Sequence, residues 1–221
     1  NQLFANAYLK LGADSVFDKP VIFIEGIDFG SGISGLQNGD FGWVEFRDPS
    51  PAWSFLENSI VLSDSLLDIG ADIVLIDFFN GASSLFENKE LVKRVIELCN
   101  EHKIGKHPNT LIGTSMGGVL GRMALREMEL NGQRHCTGTF ISHDAPHKGA
   151  SVPLGIQGLL ALAAMEQPES AFFQSSTILR PAARELLAQQ YHGNQQFLEL
   201  RNYLQELGWP EKNDQLCYCQ W

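Results

Sequence analysis

The chain has 221 residues, 44% of them hydrophobic, which is enough to bury one sizeable core and indicates a single domain. Its formal net charge is −10 and it has no cluster of Lys and Arg, which argues against nucleic acid or an anionic membrane as a partner. The longest strongly apolar run, residues 159–165, is too short for a transmembrane segment.

Four cysteines, at positions 99, 136, 217 and 219, have no histidines beside them at zinc-ligand spacing. We therefore expect no metal site and no cofactor. Cys99 and Cys136 are predicted to be buried thiols rather than a disulfide. The chain begins at Asn1, without a methionine or a signal peptide, which we interpret as a mature or truncated product.

Strands and helices are predicted to alternate over the first 142 residues. Near-continuous apolar runs are typical of strands covered on both faces, and apolar positions at helical spacing mark the segments between them. In chain order the predicted elements are an edge strand within 1–19, with 3–11 as its main part, a strand at 20–24, a helix at 54–69, a strand at 72–79, a helix at 89–104, a strand at 109–112, a helix that stops at Asn131-Gly132, and a strand at 137–142. This order predicts an α/β fold of three layers, α/β/α, with a mostly parallel sheet.

The pattern changes after residue 152 to one helix after another. Helices are predicted at 154–165, 181–190 and 195–207. We interpret residues 1–152 as the core of the domain. Residues 153–208 are interpreted as a helical cap or lid inserted after the sixth strand, and residues 209–221 as an aberrant or truncated tail. The alternative is that these helices simply cover a sheet face. The apolar runs at 159–164 and 172–173 favour a cap, because a helix with one buried face needs fewer apolar residues.

A candidate nucleophile lies between the strand at 109–112 and the helix that follows it. Residues 113–117 read GTSMG, a GxSxG pattern in which a serine occupies a sharp strand-to-helix turn. Gly113 and Gly117 supply the small residues that such a turn needs on either side of Ser115. The N–H of Met116, at the start of the helix, would then stabilise an oxyanion. Because active sites in parallel sheets lie at the carboxyl ends of the strands, this is the expected place for a catalytic serine.

These residues resemble the α/β-hydrolase superfamily, and within it the lipase-like serine hydrolases. Besides the elbow, residues 144–150 (DAPHKGA) are similar to the loop after the sixth strand of many lipases. Residues 19–28 (KPVIFIEGID) are similar to a KPxxxxEGFD segment of a poorly characterised bacterial group, often seen in secreted proteins. The resemblance implies an α/β-hydrolase fold, a secreted or cell-envelope location, and the N–H of Ile27 as second oxyanion donor. In most lipases the corresponding strand ends in His-Gly, whereas here it ends in Glu25-Gly26.

The general base and the acid of a catalytic triad are not evident. The superfamily has them after the nucleophile in the order acid, then His. Four histidines follow Ser115, and each is interpreted as a loop or surface residue: His135, His143, His147 and His192. Residues 212–221 (KNDQLCYCQW) do not read as the next strand, and a shift of reading frame there is one hypothesis. We therefore expect the acid and the histidine beyond Trp221, and this chain to be an inactive fragment.

The sequence as a whole predicts a serine hydrolase that cleaves carboxylic esters, with a small-molecule or lipid ester as substrate, through an acyl-enzyme on Ser115. The alternative is a non-catalytic binding or scaffold domain that retains the fold. The missing base and the Glu25 departure favour this alternative. The intact elbow opposes it, because a strained serine has no use in packing.

Overall fold

A computed structural model describes residues 4–27, 46–47, 60–166, 180–190 and 193–211. Six strands and six helices lie within these ranges. The strands are β1 Ala5–Lys10, β2 Pro20–Ile24, β3 Phe46–Arg47, β4 Asp72–Phe78, β5 Asn109–Thr114 and β6 Thr137–His143. The helices are α1 Ile60–Asp68, α2 Leu85–His102, α3 Met116–Leu130, α4 Leu154–Glu166, α5 Pro181–Leu186 and α6 Gln195–Leu207.

The strands form one sheet in the order β3-β1-β4-β2-β5-β6. Only the pairing of β1 with β4 is antiparallel, and the others are parallel. Helices pack on both faces of the sheet. The fold class predicted from the sequence, a mostly parallel sheet between two helical layers consistent with the α/β-hydrolase fold, is thereby confirmed.

Most predicted elements occur with shifted ends. Helix α2 begins four residues before the predicted start, because the side chain of Ser84 accepts a hydrogen bond from Phe86 N and caps it. Helix α5 stops at Leu186, since Leu187 pairs with Ala150 in a short bridge. For the helix predicted at 54–69, residues 60–68 are helical, while 54–59 lie outside the described residues.

One cysteine prediction is wrong. Cys99 is a free buried thiol, as predicted. Cys136 is instead disulfide-bonded. Its sequence surroundings gave no sign of this, because Cys136 lies between two predicted elements and only the folded arrangement brings a second sulfur to it.

The three helices after β6 have different surroundings. On α4 the polar Gln157 is buried, and its amide donates to Val152 O at 2.9 Å and Gln189 O at 2.7 Å, while Leu159 and Leu162 are 61% and 56% exposed. Helices α5 and α6 contribute their apolar faces to the main core, at Ala182, Leu186, Leu200, Leu204 and Leu207. Residues 167–179 and the tail at 212–221 lie outside the described residues. The division into a core at 1–152, a cap at 153–208 and a tail at 209–221 stays a prediction.

A buried carboxylate fixes the entry to β4. Asp72 is fully buried, and its two oxygens accept three backbone hydrogen bonds, from Gly12 N at 3.1 Å, Asp18 N at 2.9 Å and Lys19 N at 3.0 Å. Three backbone donors, one of them fully buried, therefore depend on one side chain. This contact attaches the loop between β1 and β2 to the start of the central strand.

We expect Asp72→Asn to lower the free energy of unfolding by about 2–3 kcal/mol, since an amide has one acceptor oxygen and leaves a buried N–H unpaired. Chemical denaturation measures this change. The matched control is Asp64→Asn on α1, where the side chain is exposed and a change within about 0.5 kcal/mol is expected. Equal stabilities of the two variants would contradict the role given to Asp72.

Candidate active site

Ser115 occupies the turn between β5 and α3 with a backbone conformation that serine seldom adopts. Its φ is 53° and its ψ is −121°. A positive φ in a residue with a Cβ costs about 1–3 kcal/mol and persists only where the surroundings impose it. Here the Ser115 N–H donates to His143 O of β6 at 2.9 Å, and Ser115 O accepts from Gly118 N at 3.1 Å. The side chain of Ser115 is partly exposed at the carboxyl edge of the sheet.

The two elbow glycines lie where no side chain fits. A Cβ added at Gly113 would lie 2.4 Å from Gly117 O, and one added at Gly117 would lie 2.4 Å from both Ile24 O and Glu25 O. These neighbours are backbone atoms, which cannot move aside as the end of a flexible side chain can. The small-residue requirement predicted from the GxSxG spacing is therefore a steric requirement of this packing.

The end of β2 lies directly beside the serine. A Cβ at Gly26 would be 3.4 Å from Ser115 Cβ and 3.9 Å from its Oγ. Ile27 follows, partly buried and packed against the main core. Met116 is fully buried and is the first residue of α3, so its N–H has no acceptor one turn earlier in the helix. Gly26 and Ser115 thus meet at one edge of the sheet, and each is followed by one of the two predicted oxyanion donors, Ile27 and Met116.

The ring of His147 is hydrogen-bonded to the hydroxyl of Ser142 and not to that of Ser115. Its Nε2 lies 2.7 Å from Ser142 Oγ of β6, and its ring packs edge-on against Trp209 at 4.6 Å between centroids. Burial, and then the positive charge of Arg122, lower the pKa of His147 to about 4. The imidazole is therefore neutral near pH 7 and held by Ser142, which agrees with the loop role predicted for it.

The low pKa of His147 predicts an acid-sensitive contribution to stability. The unfolded chain takes up this proton near pH 6.5 and the folded chain only near pH 4, so stability is complete above about pH 6.5 and declines as the pH falls towards 4. After allowance for screening by solvent at the partly exposed ring, the loss is about 1–2 kcal/mol.

Thermal unfolding between pH 7 and pH 4 measures this loss. In His147→Gln the decline should be smaller by that amount, because the titrating group is absent. His107→Gln, at an exposed position, is the control and should keep the wild-type decline. Parallel curves for the His147 variant and the wild type would show that the ring does not titrate as described.

The other described histidines that follow Ser115, His135 and His143, are not hydrogen-bonded to its hydroxyl. His143 contributes its backbone oxygen to Ser115 and has an exposed side chain. His135 is buried before the start of β6, at the opposite end of the strand, where its Nδ1 accepts from Thr137 N at 3.0 Å. His192 lies outside the described residues. Within the described ranges, no side chain is hydrogen-bonded to Ser115 Oγ.

Two features of this edge were not predicted. Asp144, the residue after β6, also has a positive φ, of 46°. The Glu25 side chain accepts a hydrogen bond from Phe78 N at 2.6 Å, at the end of β4. Each feature has a signal in the sequence: Asp favours left-handed turns, and Glu25 stands where most lipases have His. Neither signal shows that Glu25 is bonded to Phe78 N.

The described part of the chain contains no group of three or more His, Cys, Asp or Glu side chains that could hold a metal ion. In those same ranges no helix has both the length and the apolar composition needed to span a membrane.

Comparison with known proteins gives structural similarities only. No protein-family model matches the sequence, and no curated protein sequence matches it. Among solved structures, the chain is similar to Est1E from Butyrivibrio proteoclasticus, with 17% identity, a TM-score of 0.40, and 61% of this chain and 44% of that chain covered. It is also similar to a monoacylglycerol lipase of Paleococcus ferrophilus, with 14% identity, a TM-score of 0.40, and coverage of 76% and 53%.

A third similar structure is the mature form of the lipase BlEst2 of Bacillus licheniformis, with 15% identity, a TM-score of 0.49, and coverage of 93% of this chain and 67% of that chain. The chain thus spans about half the length of the first two structures.

Proposed function

We propose that this chain carries the nucleophile of a serine hydrolase that cleaves carboxylic esters through an acyl-enzyme on Ser115. The observation that carries the proposal is the strained conformation of Ser115 between β5 and α3, at the edge where four parallel strands end. Strain of this kind is retained where function needs it.

The reaction begins with attack of Ser115 Oγ on the ester carbonyl carbon, while the hydroxyl proton passes to a general base. The negative charge that develops on the carbonyl oxygen is stabilised by the backbone N–H groups of Met116 and Ile27. Collapse of the intermediate breaks the bond to the alcohol, which leaves with the proton from the base. Water then attacks the acyl-serine carbonyl while the same base takes one of its protons. The bond to Ser115 Oγ breaks, the base returns that proton to the Oγ, and the carboxylic acid product leaves.

The proposal assigns the base and its orienting acid to a histidine and a carboxylate that follow residue 221. Within the described residues, His147 is engaged by Ser142, the ring of His135 accepts from Thr137 N, and no histidine is hydrogen-bonded to Ser115 Oγ. On this account the 221-residue chain by itself has little or no turnover. The substrate is a small-molecule or lipid ester, and the apolar composition of α4 suits an apolar acyl group.

A fluorophosphonate probe tests the proposal in the protein translated from its complete reading frame. The probe should form one covalent adduct, and peptide mass spectrometry should place it on Ser115. The 221-residue chain, treated in parallel, should react at least about 100-fold more slowly, because no base activates the serine. Absence of any adduct on the complete protein, or an adduct on another residue, would overturn the proposal.

A second function, a non-catalytic binding or scaffold domain, is favoured by one observation: no described side chain reaches Ser115 Oγ. The same probe separates the two functions. A binding domain would leave Ser115 unmodified in the complete protein, even though the chain is folded.

A further inference from the structure

Glu25 completes the sheet where β2 leaves it. The pairing of β2 with β4 ends at Ile24 and Ile76, two residues before β4 itself ends at Phe78. Without a further strand residue, Phe78 N–H would lose its acceptor on that side. It donates instead to Glu25 Oε1 at 2.6 Å. A side-chain oxygen thus takes the place of the strand neighbour.

The backbone of the same residue lies against the nucleophile elbow. Gly117 packs on Glu25 O so closely that a Cβ there would lie 2.4 Å from it, and Gly26 is adjacent to Ser115. Residue 25 is therefore held from two directions, by β4 through its side chain and by the start of α3 through its main chain. The direction in which the chain leaves this point sets where Ile27 N–H lies.

We propose that Glu25 is a positioning residue: its carboxylate, bonded to Phe78 N–H, fixes the Gly26-Ile27 segment so that Ile27 N–H is held at the oxyanion site. This inference rests on the proposed function. Glu25 is not a catalytic residue, since it acts through the backbone that follows it. Its contribution comes from the reach of the side chain and not from its charge, because a negative charge near a developing oxyanion opposes the reaction.

Two conservative variants separate reach from charge. Glu25→Gln keeps the length of the side chain and an acceptor oxygen but removes the charge. Glu25→Asp keeps the charge, but is shorter by one methylene and withdraws from Phe78 N–H. Both are mild substitutions at a half-buried position, so both variants should fold. Glu97→Gln on α2, a partly exposed glutamate that pairs with Arg94, serves as the control.

We expect steady-state hydrolysis of p-nitrophenyl butyrate by the complete protein to separate the variants. In Glu25→Asp, kcat should fall about 10- to 100-fold while KM stays within about threefold. The reason is that displacement of Ile27 N–H weakens stabilisation of the transition state more than binding of the substrate. In Glu25→Gln, kcat should stay within about threefold of the parent. Amide hydrogen exchange at Phe78 should be at least about 10-fold faster in the Asp variant alone.

The outcomes distinguish this inference from the proposed function. If the parent protein shows no hydrolysis that depends on Ser115, both the proposed function and the positioning role of Glu25 are overturned. If Ser115-dependent hydrolysis is present, but the Asp variant retains it or the Gln variant loses it as strongly as the Asp variant, the positioning role is overturned and the proposed function stands. Unchanged exchange at Phe78 in the Asp variant would also overturn the role.

Discussion

Ser115→Ala should reduce ester hydrolysis by the complete protein by about 10⁴-fold or more and should abolish labelling by a fluorophosphonate probe. The reason is that alanine removes the only atom that can carry the acyl group. The fold should be unaffected, because serine and alanine both carry a Cβ and meet the same backbone strain at φ 53°. Chemical denaturation of the variant should agree with the parent within about 0.5 kcal/mol.

Ser115→Gly makes the same test sharper. Glycine tolerates a positive φ, so this variant should be about as inactive as Ser115→Ala and yet more stable than the parent by about 1 kcal/mol. If the backbone strain at Ser115 is retained for catalysis, its removal should raise the free energy of unfolding while activity is lost. Equal stability of the Gly and Ala variants would show that the elbow carries no strain.

Ser142→Ala is the matched control. Ser142 lies on β6, one residue before the His143 oxygen that holds Ser115, and it already has a histidine at 2.7 Å. If loss of the Ser142 hydroxyl abolished hydrolysis while Ser115→Ala left it intact, the nucleophile would be the other serine. We expect Ser142→Ala to keep activity within about fivefold and to lose stability, because His147 loses its partner.

The sequence predicted the elements whose causes are local. The edge strand within 1–19, the strand at 20–24 and the helix at 195–207 all occur, because hydrophobic periodicity and nearby breakers define them. The start of helix α2 was predicted four residues too late, because its first turn is also stabilised by a residue distant in sequence. Glu185 of α5 accepts from Ser84 Oγ at 2.6 Å and from Leu85 N at 2.7 Å, a contact across 100 residues that no local pattern contains.

The candidate site also has features that a local sequence pattern predicts and features that depend on the folded arrangement. The place of Ser115 and the need for Gly113 and Gly117 followed from a five-residue pattern. The hydrogen bond from Phe78 N to Glu25 did not, because it depends on where β4 ends beside β2 in the folded sheet. The partners of His147 also belong to three dimensions: Ser142 is close in sequence, but Trp209 comes 62 residues later and lies beyond α6.

Gly117→Ala should be among the most destabilising single substitutions in this chain, with a loss of at least about 3 kcal/mol in the free energy of unfolding. The added methyl group would lie 2.4 Å from two backbone oxygens and 2.9 Å from Ile24 C. Relief requires the start of α3 to move away from the end of β2, which opens the centre of the core. Chemical denaturation and the yield of soluble protein measure the effect.

Gly155→Ala is the matched control for this substitution. Gly155 lies near the start of α4, where an added Cβ meets nothing within 4 Å. Alanine is a better helix former than glycine by up to about 1 kcal/mol, so this variant should be as stable as the parent or slightly more so. A Gly117 variant within about 1 kcal/mol of the Gly155 variant would contradict the packing of α3 on β2.

Gly117→Ala also separates the two ways in which the site can fail. Any folded fraction of this variant keeps the Ser115 hydroxyl but displaces Glu25 and Gly26, so its reaction with a fluorophosphonate probe should be at least about 10-fold slower than that of the parent. Ser115→Ala, by contrast, loses the reaction with its stability intact. Because β2 and α3 meet at Gly117, the contact that stabilises the sheet there is also the one that brings Gly26, the residue before Ile27, beside Ser115.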